Sequence, residues 1–250
     1  MPYEQFAYIY DRLMADMPYD DWLKIVKKSW EKFGKPQTAA DLGCGTGSLS
    51  IRLEAENVAI YGIDYSADML SIAAQKASSV RAGTVRWIQQ DMRHWQTPEP
   101  VDAVYSFCDS LNYITARSDL AQVFYQTKLN VKPGGVFLFD LLSEFQYEQY
   151  ERQQPFVLND DDLAYIWTCE YNNEQKMIEH ELTLFVQEGE CYRRIDEIHR
   201  QRAYSHETVK ALLTENGFEL VDLSADFREE PPNEHSVRLF YTAVRKDDTA

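Results

Sequence analysis

Positive charge is scarce in this sequence: 25 Lys and Arg stand against 41 Asp and Glu, for a formal net charge of -16. Such a chain is repelled at long range by nucleic-acid phosphates and anionic membranes, so neither is expected as a partner. Cysteine is sparse as well. Cys44, Cys108, Cys169 and Cys191 lie far apart with no Cys-x-x-Cys pair, which points away from zinc sites and disulfide frameworks and toward a reducing cytoplasm. His94, His180, His199, His206 and His235 have no ligand spacing, so no metal is expected. No stretch approaches the roughly 18 uninterrupted apolar residues of a membrane span. Residues 1–10 have neither the basic region nor the apolar run of a secretory signal. Repeats and low-complexity segments are missing too. What remains is a chain of 250 residues, 44% hydrophobic, suited to one large domain or one domain with an embedded subdomain.

The stretch around which the rest is organised is Ala40-Asp41-Leu42-Gly43-Cys44-Gly45-Thr46-Gly47. It reads as the end of a buried strand, a glycine turn and a helix start, with bare backbone on one side for a ligand to lie against. Upstream, Tyr3, Tyr8 and Tyr10 form an aromatic cluster that can cap a pocket or cover the end of the core. A helix capped by Asp20 or Asp21 and closed by Gly34 and Pro36 completes a leading segment, 1–36. From 37 to 141, apolar runs near 38–42, 58–63, 85–89, 101–107 and 136–141 alternate with helical patterns near 46–54, 67–78 and 118–130, which predicts a parallel sheet. Between 142 and 203 the rhythm changes. Segments 164–170, 177–186 and 191–201 interleave polar and apolar residues, as an antiparallel sheet exposed on one side would, and read as an insertion over the parallel sheet. The main fold resumes over 204–250, with Ser205 capping a helix, Gly217 stopping it, and strands near 218–224 and 236–244. The expected class is α/β: a Rossmann-like, doubly wound sheet of seven strands, mostly parallel, with an inserted antiparallel β subdomain.

Ligands of open parallel sheets bind beyond the carboxyl ends of the strands. At those ends stand Asp41 with the glycines, then Asp64, then Asp91-Met92, then Cys108-Asp109-Ser110. Asp64 follows Asp41 by 23 positions, near the spacing at which an acid takes both ribose hydroxyls of a nucleoside. The run departs from a dinucleotide fingerprint because Ser48 stands where the third glycine would fall. Asp41 beside the turn is awkward for a pyrophosphate but suits an ammonium group. S-adenosylmethionine carries a ribose at one end and an ammonium at the other, and so fits both acids.

The order of these motifs resembles the class I S-adenosylmethionine-dependent methyltransferases, through Asp41 to Gly47, Gly62-Ile63-Asp64 with Ser66 and Met69, Gln90-Asp91-Met92, and Lys132-Pro133-Gly134-Gly135. The resemblance implies that Asp64 holds the ribose, that Asp91 and the Met92 backbone read the adenine, and that Gly43, Gly45 and the carbonyl near Cys108 hold the methionine part. Tyr10, Asp41, Tyr65 and Met69 complete the expected cofactor set. The embedded sheet and Cys108-Asp109-Ser110-Leu111-Asn112-Tyr113 further resemble the small-molecule branch that includes glycine N-methyltransferases. Methyl transfer from a sulfonium is an in-line displacement, which asks the protein mainly to position and desolvate the nucleophile. If a base is needed, the candidates are Tyr8, Tyr10 and Asp109. For the substrate, Asn112 and a basic face of Arg194, Arg200 and Arg202 are candidates; that face also reads as solvated and paired with Asp196 and Glu197.

The expected partner is a small-molecule methyl acceptor, an amine or a carboxylate-bearing metabolite, in a monomer or homodimer. Methylation of RNA or protein is a second reading, although no Asp/Asn-Pro-Pro-aromatic signature follows the fourth strand. A cofactor-binding module without catalysis is the third. Cys108 is not expected as a nucleophile: Phe107 precedes it, where cytosine-C5 methyltransferases have proline, and no histidine is near.

Overall fold

The computed structural model describes residues 7–80 and 84–247, with the side chain of Tyr8 and all of Tyr3 outside the described residues. Two helices lead, α1 (Ala7–Leu13) and α2 (Tyr19–Phe33). The core then runs β1 (Thr38–Leu42), α3 (Ser48–Ala55), β2 (Ala59–Asp64), α4 (Ala67–Val80), β3 (Arg86–Gln89), β4 (Val101–Ser106), a 3-10 turn (Ser110–Tyr113), α5 (Arg117–Asn130) and β5 (Val131–Leu142). After it come α6 (Glu144–Gln153), β6 (Phe156–Asn159), β7 (Leu163–Asn172), β8 (Met177–Glu188) and β9 (Cys191–Arg202), then α7 (His206–Glu215), β10 (Phe218–Ala225) and β11 (Arg238–Arg245).

The main sheet has seven strands in the order β10-β11-β5-β4-β1-β2-β3, and β6-β7-β8-β9 form a separate antiparallel sheet of four. β1 to β5 pair in parallel; β11 runs antiparallel to both β5 and β10. The α/β class with a mostly parallel seven-stranded sheet and an added antiparallel sheet is the architecture expected from the sequence. Both faces of the main sheet are covered, which is why its central strands are continuous apolar runs. Leu120, Val123 and Phe124 of α5 and Leu212 and Leu213 of α7 pack with Phe137, Phe139 and Tyr241 on one side. Trp22 and Val26 of α2 and Leu49 and Leu53 of α3 pack with Ile60, Leu138 and Phe240 on the other.

Several local expectations need correction. Neither Asp20 nor Asp21 caps α2: the helix starts at Tyr19 after Pro18, and both acids sit in its first turn, where they favour the positive end of the helix dipole. Helices α1 and α6, strand β6 and the 3-10 turn are additional, being short segments whose periodicity is weak. Ser205 does cap α7, accepting from the Thr208 N–H at 3.2 Å, and Gly217 ends it with φ +78°.

The four-stranded sheet is anchored to the cofactor end of the main sheet by α1. Ala7 and Ile9 pack with Met69 of α4 and with Leu163, Leu184 and Ile195 of β7, β8 and β9. Arg12 donates to Asp162 at 2.7 Å, and Lys76 Nζ lies 2.7 Å from Asp11. Asp11 also accepts from the Thr46 hydroxyl, so α1 is strapped across the glycine turn.

Candidate functional site

The site is assembled where β1, β2 and β4 end. Gly43, Gly45 and Gly47 all have positive φ (+71°, +53° and +73°), which L residues rarely adopt. Side chains are excluded there for a second reason: a Cβ on Gly43 would lie 2.7 Å from Ser110, and one on Gly47 2.3 Å from the Trp87 ring. The turn is tied to β2 by Gly43 N–H and Cys44 N–H, both donating to the Ile63 carbonyl at 2.8 and 3.1 Å.

Asp64, at the end of β2, accepts from the Gly45 N–H and the Ser66 N–H, each at 2.8 Å. Burial pushes its pKa up and those two amides pull it down. The carboxylate is therefore oriented by backbone, with lone pairs left over for hydroxyl donors. Asp41 is buried and accepts from Ser50 Oγ at 2.5 Å; burial raises its pKa to about 6, so its charge near pH 7 is held at a cost that a bound cation would relieve. Asp91 is different. Arg93 donates to both of its oxygens and also to Asp119, and this contact lowers the Asp91 pKa. Met92 brings its Cε to 3.4 Å from where a Gly43 Cβ would stand. Tyr65 is 61% exposed, while Met69 is buried beneath α1.

A small cavity lies against this turn, its walls including Tyr10, Trp22, Asp41, Gly43, Gly45 and Cys108. Tyr10 of α1 is half-buried there, its pKa raised chiefly by burial and then by Cys108. Bare glycine backbone, two acids at strand ends and an aromatic cover form a donor and acceptor set that fits a nucleoside with an ammonium-bearing tail.

Beyond β4, Cys108 and Asp109 take consecutive left-handed conformations, φ +58° and +52°. Burial pushes the Cys108 thiol well up, so it is not a thiolate. Asp109 accepts from Arg238 Nη2 at 3.0 Å and from Gln201 Nε2 at 2.7 Å. Tyr147 in turn donates to Gln201 Oε1 at 3.4 Å. Asp140, fully buried on β5, accepts from Arg238 Nη1 (2.8 Å), Trp22 Nε1 (2.7 Å) and the amides of Cys108 (3.3 Å) and Asp109 (2.8 Å).

The substrate candidates fall elsewhere. Alternation along β9 turns Ile195, Glu197, His199 and Gln201 inward, so Arg194, Arg200 and Arg202 face the other way. Arg194 pairs with Asp196 and Arg200 with Glu179, both exposed, and Arg202 donates to the Thr115 carbonyl at 3.0 Å. Asn112 is buried and spends its amide on backbone, donating to the carbonyls of Leu142 (3.2 Å) and Arg202 (2.9 Å) and accepting from the Leu142 N–H (2.9 Å). It staples the 3-10 turn to β5 and β9. The inward polar set that sequence reading missed is Gln201, His199 and His180, with Tyr113, whose hydroxyl lies 3.4 Å from His199. Burial lowers both histidines to about 4, so they are neutral near pH 7. Strict alternation on β9 was the available signal.

The profile described as a methyltransferase domain matches residues 39–135, the stretch that carries the glycine turn and all four strand-end motifs. A chain of Geobacillus sp. (strain WCH70) named "Putative methyltransferase" is 39% identical over 248 residues, covering 98% of this chain and 100% of its own. YqeM of Bacillus subtilis (strain 168), under the same name, is 38% identical and covers 98% of each. The crystal structure of an S-adenosylmethionine-dependent methyltransferase from Clostridium acetobutylicum ATCC 824 superposes with a TM-score of 0.88 at 28% identity, covering 98% of this chain and 99% of that one. With the strand-end acids and the glycine turn in place, these likenesses identify the cofactor as S-adenosylmethionine. The chain belongs to the class I S-adenosylmethionine-dependent methyltransferases.

Proposed function

We propose that this enzyme methylates a small-molecule acceptor held between the end of β4 and the inner face of the antiparallel sheet. The observation that carries the proposal is how closely the two meet. Gln201 of β9 reaches Asp109 at 2.7 Å, and Asn112 reaches the Arg202 carbonyl at 2.9 Å. A sheet docked that tightly over the strand ends bars an RNA duplex from them, and the net charge of -16 acts in the same direction.

In this reading Asp64 takes the ribose hydroxyls, Asp91 and the Met92 backbone take the adenine, and Asp41, Gly43, Gly45 and the Cys108 carbonyl take the methionine end. Tyr65 borders the mouth and Met69 supports the adenosine side. Tyr10 covers the cofactor as part of α1, strapped by Asp11 and Arg12. When bound, the cofactor supplies a methyl group already activated by the sulfonium. The chain's own residues position the acceptor and exclude water; Asp109 is the carboxylate that can accept a proton, while Tyr10, kept a neutral phenol by burial, orients the acceptor through a hydrogen bond. Arg200 and Arg202 have no part, since they face outward.

The test is methyl-labelled cofactor incubated with the enzyme and either low-molecular-weight cell extract or total RNA and protein. Label is expected in the small-molecule fraction. Label confined to the polymer fraction would overturn the proposal.

A further inference from the structure

Asp140 lies in none of the strand-end motifs, yet four donors converge on it. Two of them, Cys108 and Trp22, are walls of the cofactor cavity. The other two are the Asp109 amide and Arg238, whose guanidinium sits 5.2 Å over the Trp22 ring and carries its second nitrogen to Asp109. Every partner is a donor, a set that only an ionised carboxylate can accept in full. Arg238 supplies the countercharge against burial, which on its own pushes the Asp140 pKa up.

The backbone consequence is geometric. Cys108 and Asp109 are two consecutive non-glycine residues in the left-handed region, a conformation that persists only where the surroundings over-determine it. Across a trans peptide, N–H and C=O point in opposite directions. An Asp109 N–H held at 2.8 Å by Asp140 therefore turns the Cys108 carbonyl away from β5. The position of Asp140 follows from register: Ser106 of β4 pairs with Phe139 of β5, which sets the next β5 residue level with the turn that leaves β4.

We infer that Asp140 is the positioning residue for the cofactor's methionine end, holding the Cys108 carbonyl and the Trp22 wall in their binding arrangement before the cofactor arrives. This rests on the Cys108 carbonyl being a cofactor contact, as proposed above. An asparagine at 140 keeps the size but presents an NH2 group to one of the donors, so the Cys108–Asp109 turn is released.

The experiment is calorimetric titration of S-adenosylhomocysteine into the wild type, Asp140→Asn and Asp109→Asn. Asp109→Asn removes the carboxylate that Arg238 and Gln201 share but leaves the backbone hold intact, so it reports what disturbing those side-chain contacts does without touching Asp140. Expected is a Kd at least tenfold weaker for Asp140→Asn and within threefold of wild type for Asp109→Asn. Equal affinity for wild type and Asp140→Asn, or equal weakening in both variants, would overturn the inference while leaving the cofactor reading standing. No binding by the wild type would overturn both. Should Asp140→Asn fail to fold, hydrogen exchange of wild type without ligand decides: protected Cys108 and Asp109 amides support the hold, and exchange at free-loop rates contradicts it.

Discussion

The two halves of the site are built from different materials. At the ends of β1 and β2, the work falls to backbone: Gly43, Gly45 and Gly47 in left-handed conformations, with Asp64 gripped by the amides of Gly45 and Ser66. Under the antiparallel sheet, side chains from distant segments meet: Trp22, Asp109, Asp140, Tyr147, Gln201 and Arg238. Backbone sites depend on local φ and ψ and tolerate little change at a few positions. Side-chain networks depend on balanced charge, and lose most when one partner is removed.

That contrast can be broken first at Arg238. Arg238→Met leaves buried Asp140 and half-buried Asp109 without their cation, and denaturant unfolding is expected to show a loss of about 3 to 5 kcal/mol. A loss under about 1 kcal/mol would mean that the two acids take up protons at little cost. Next is Gly47→Ala, which combines φ +73° with a methyl 2.3 Å from Trp87 and should cost roughly 2 to 4 kcal/mol. Gly34→Ala is the comparison. It too has positive φ, +84°, with ψ 153°, a region left almost entirely to glycine, but nothing within 4 Å, so only the backbone penalty of about 1 to 3 kcal/mol applies.

Asp41→Asn tests whether the site holds a carboxylate at the expense of stability. Its folded pKa, about 6, lies above the ordinary 3.8, so the acid's contribution is full below 3.8 and is lost as pH rises through 6. The variant should therefore be more stable than wild type near pH 7, by at most about 3 kcal/mol, with the gap closing below pH 4. Cofactor affinity should fall at the same time. A variant that is no more stable at pH 7 would show that Asp41 is ionised without strain.

His180 and His199 give the smallest effect. Trp167 Nε1 donates to His180 Nδ1 at 3.1 Å, fixing a neutral ring, and both histidines fall from 6.5 to about 4 on folding. Their contribution is present above pH 6.5 and lost as pH falls toward 4, about 1 kcal/mol each by pH 5.5. Thermal midpoints of His180→Gln across pH 5 to 7 should accordingly be flatter than those of wild type, and parallel curves would remove the histidine from the account.

Legibility follows the same division. Asp41 through Gly47, Asp64, Asp91 and Cys108 each stand at or just beyond the carboxyl end of a strand, so chain order alone places them together, and the seven-stranded sheet follows from the same alternation. Asp140 and Arg238 lie 98 positions apart on neighbouring antiparallel strands, and only the pairing of Arg238 with Leu142 brings them within reach. No local pattern encodes that. The arginines of β9 show the limit from the other side: their common face is readable from period-two spacing, but the choice between a substrate face and a solvated one depends on how the antiparallel sheet docks. Buried Gln201 and His199 mark the inner face, and exposed Arg194 and Arg200 the outer.

The most direct measurement is titration of S-adenosylhomocysteine into wild type and Asp64→Ala at pH 7.5. One molecule should bind per wild-type chain, and the variant should bind at least a hundredfold more weakly while keeping its fold. Equal affinity in the two would contradict the assignment of the strand-end acids as the cofactor site.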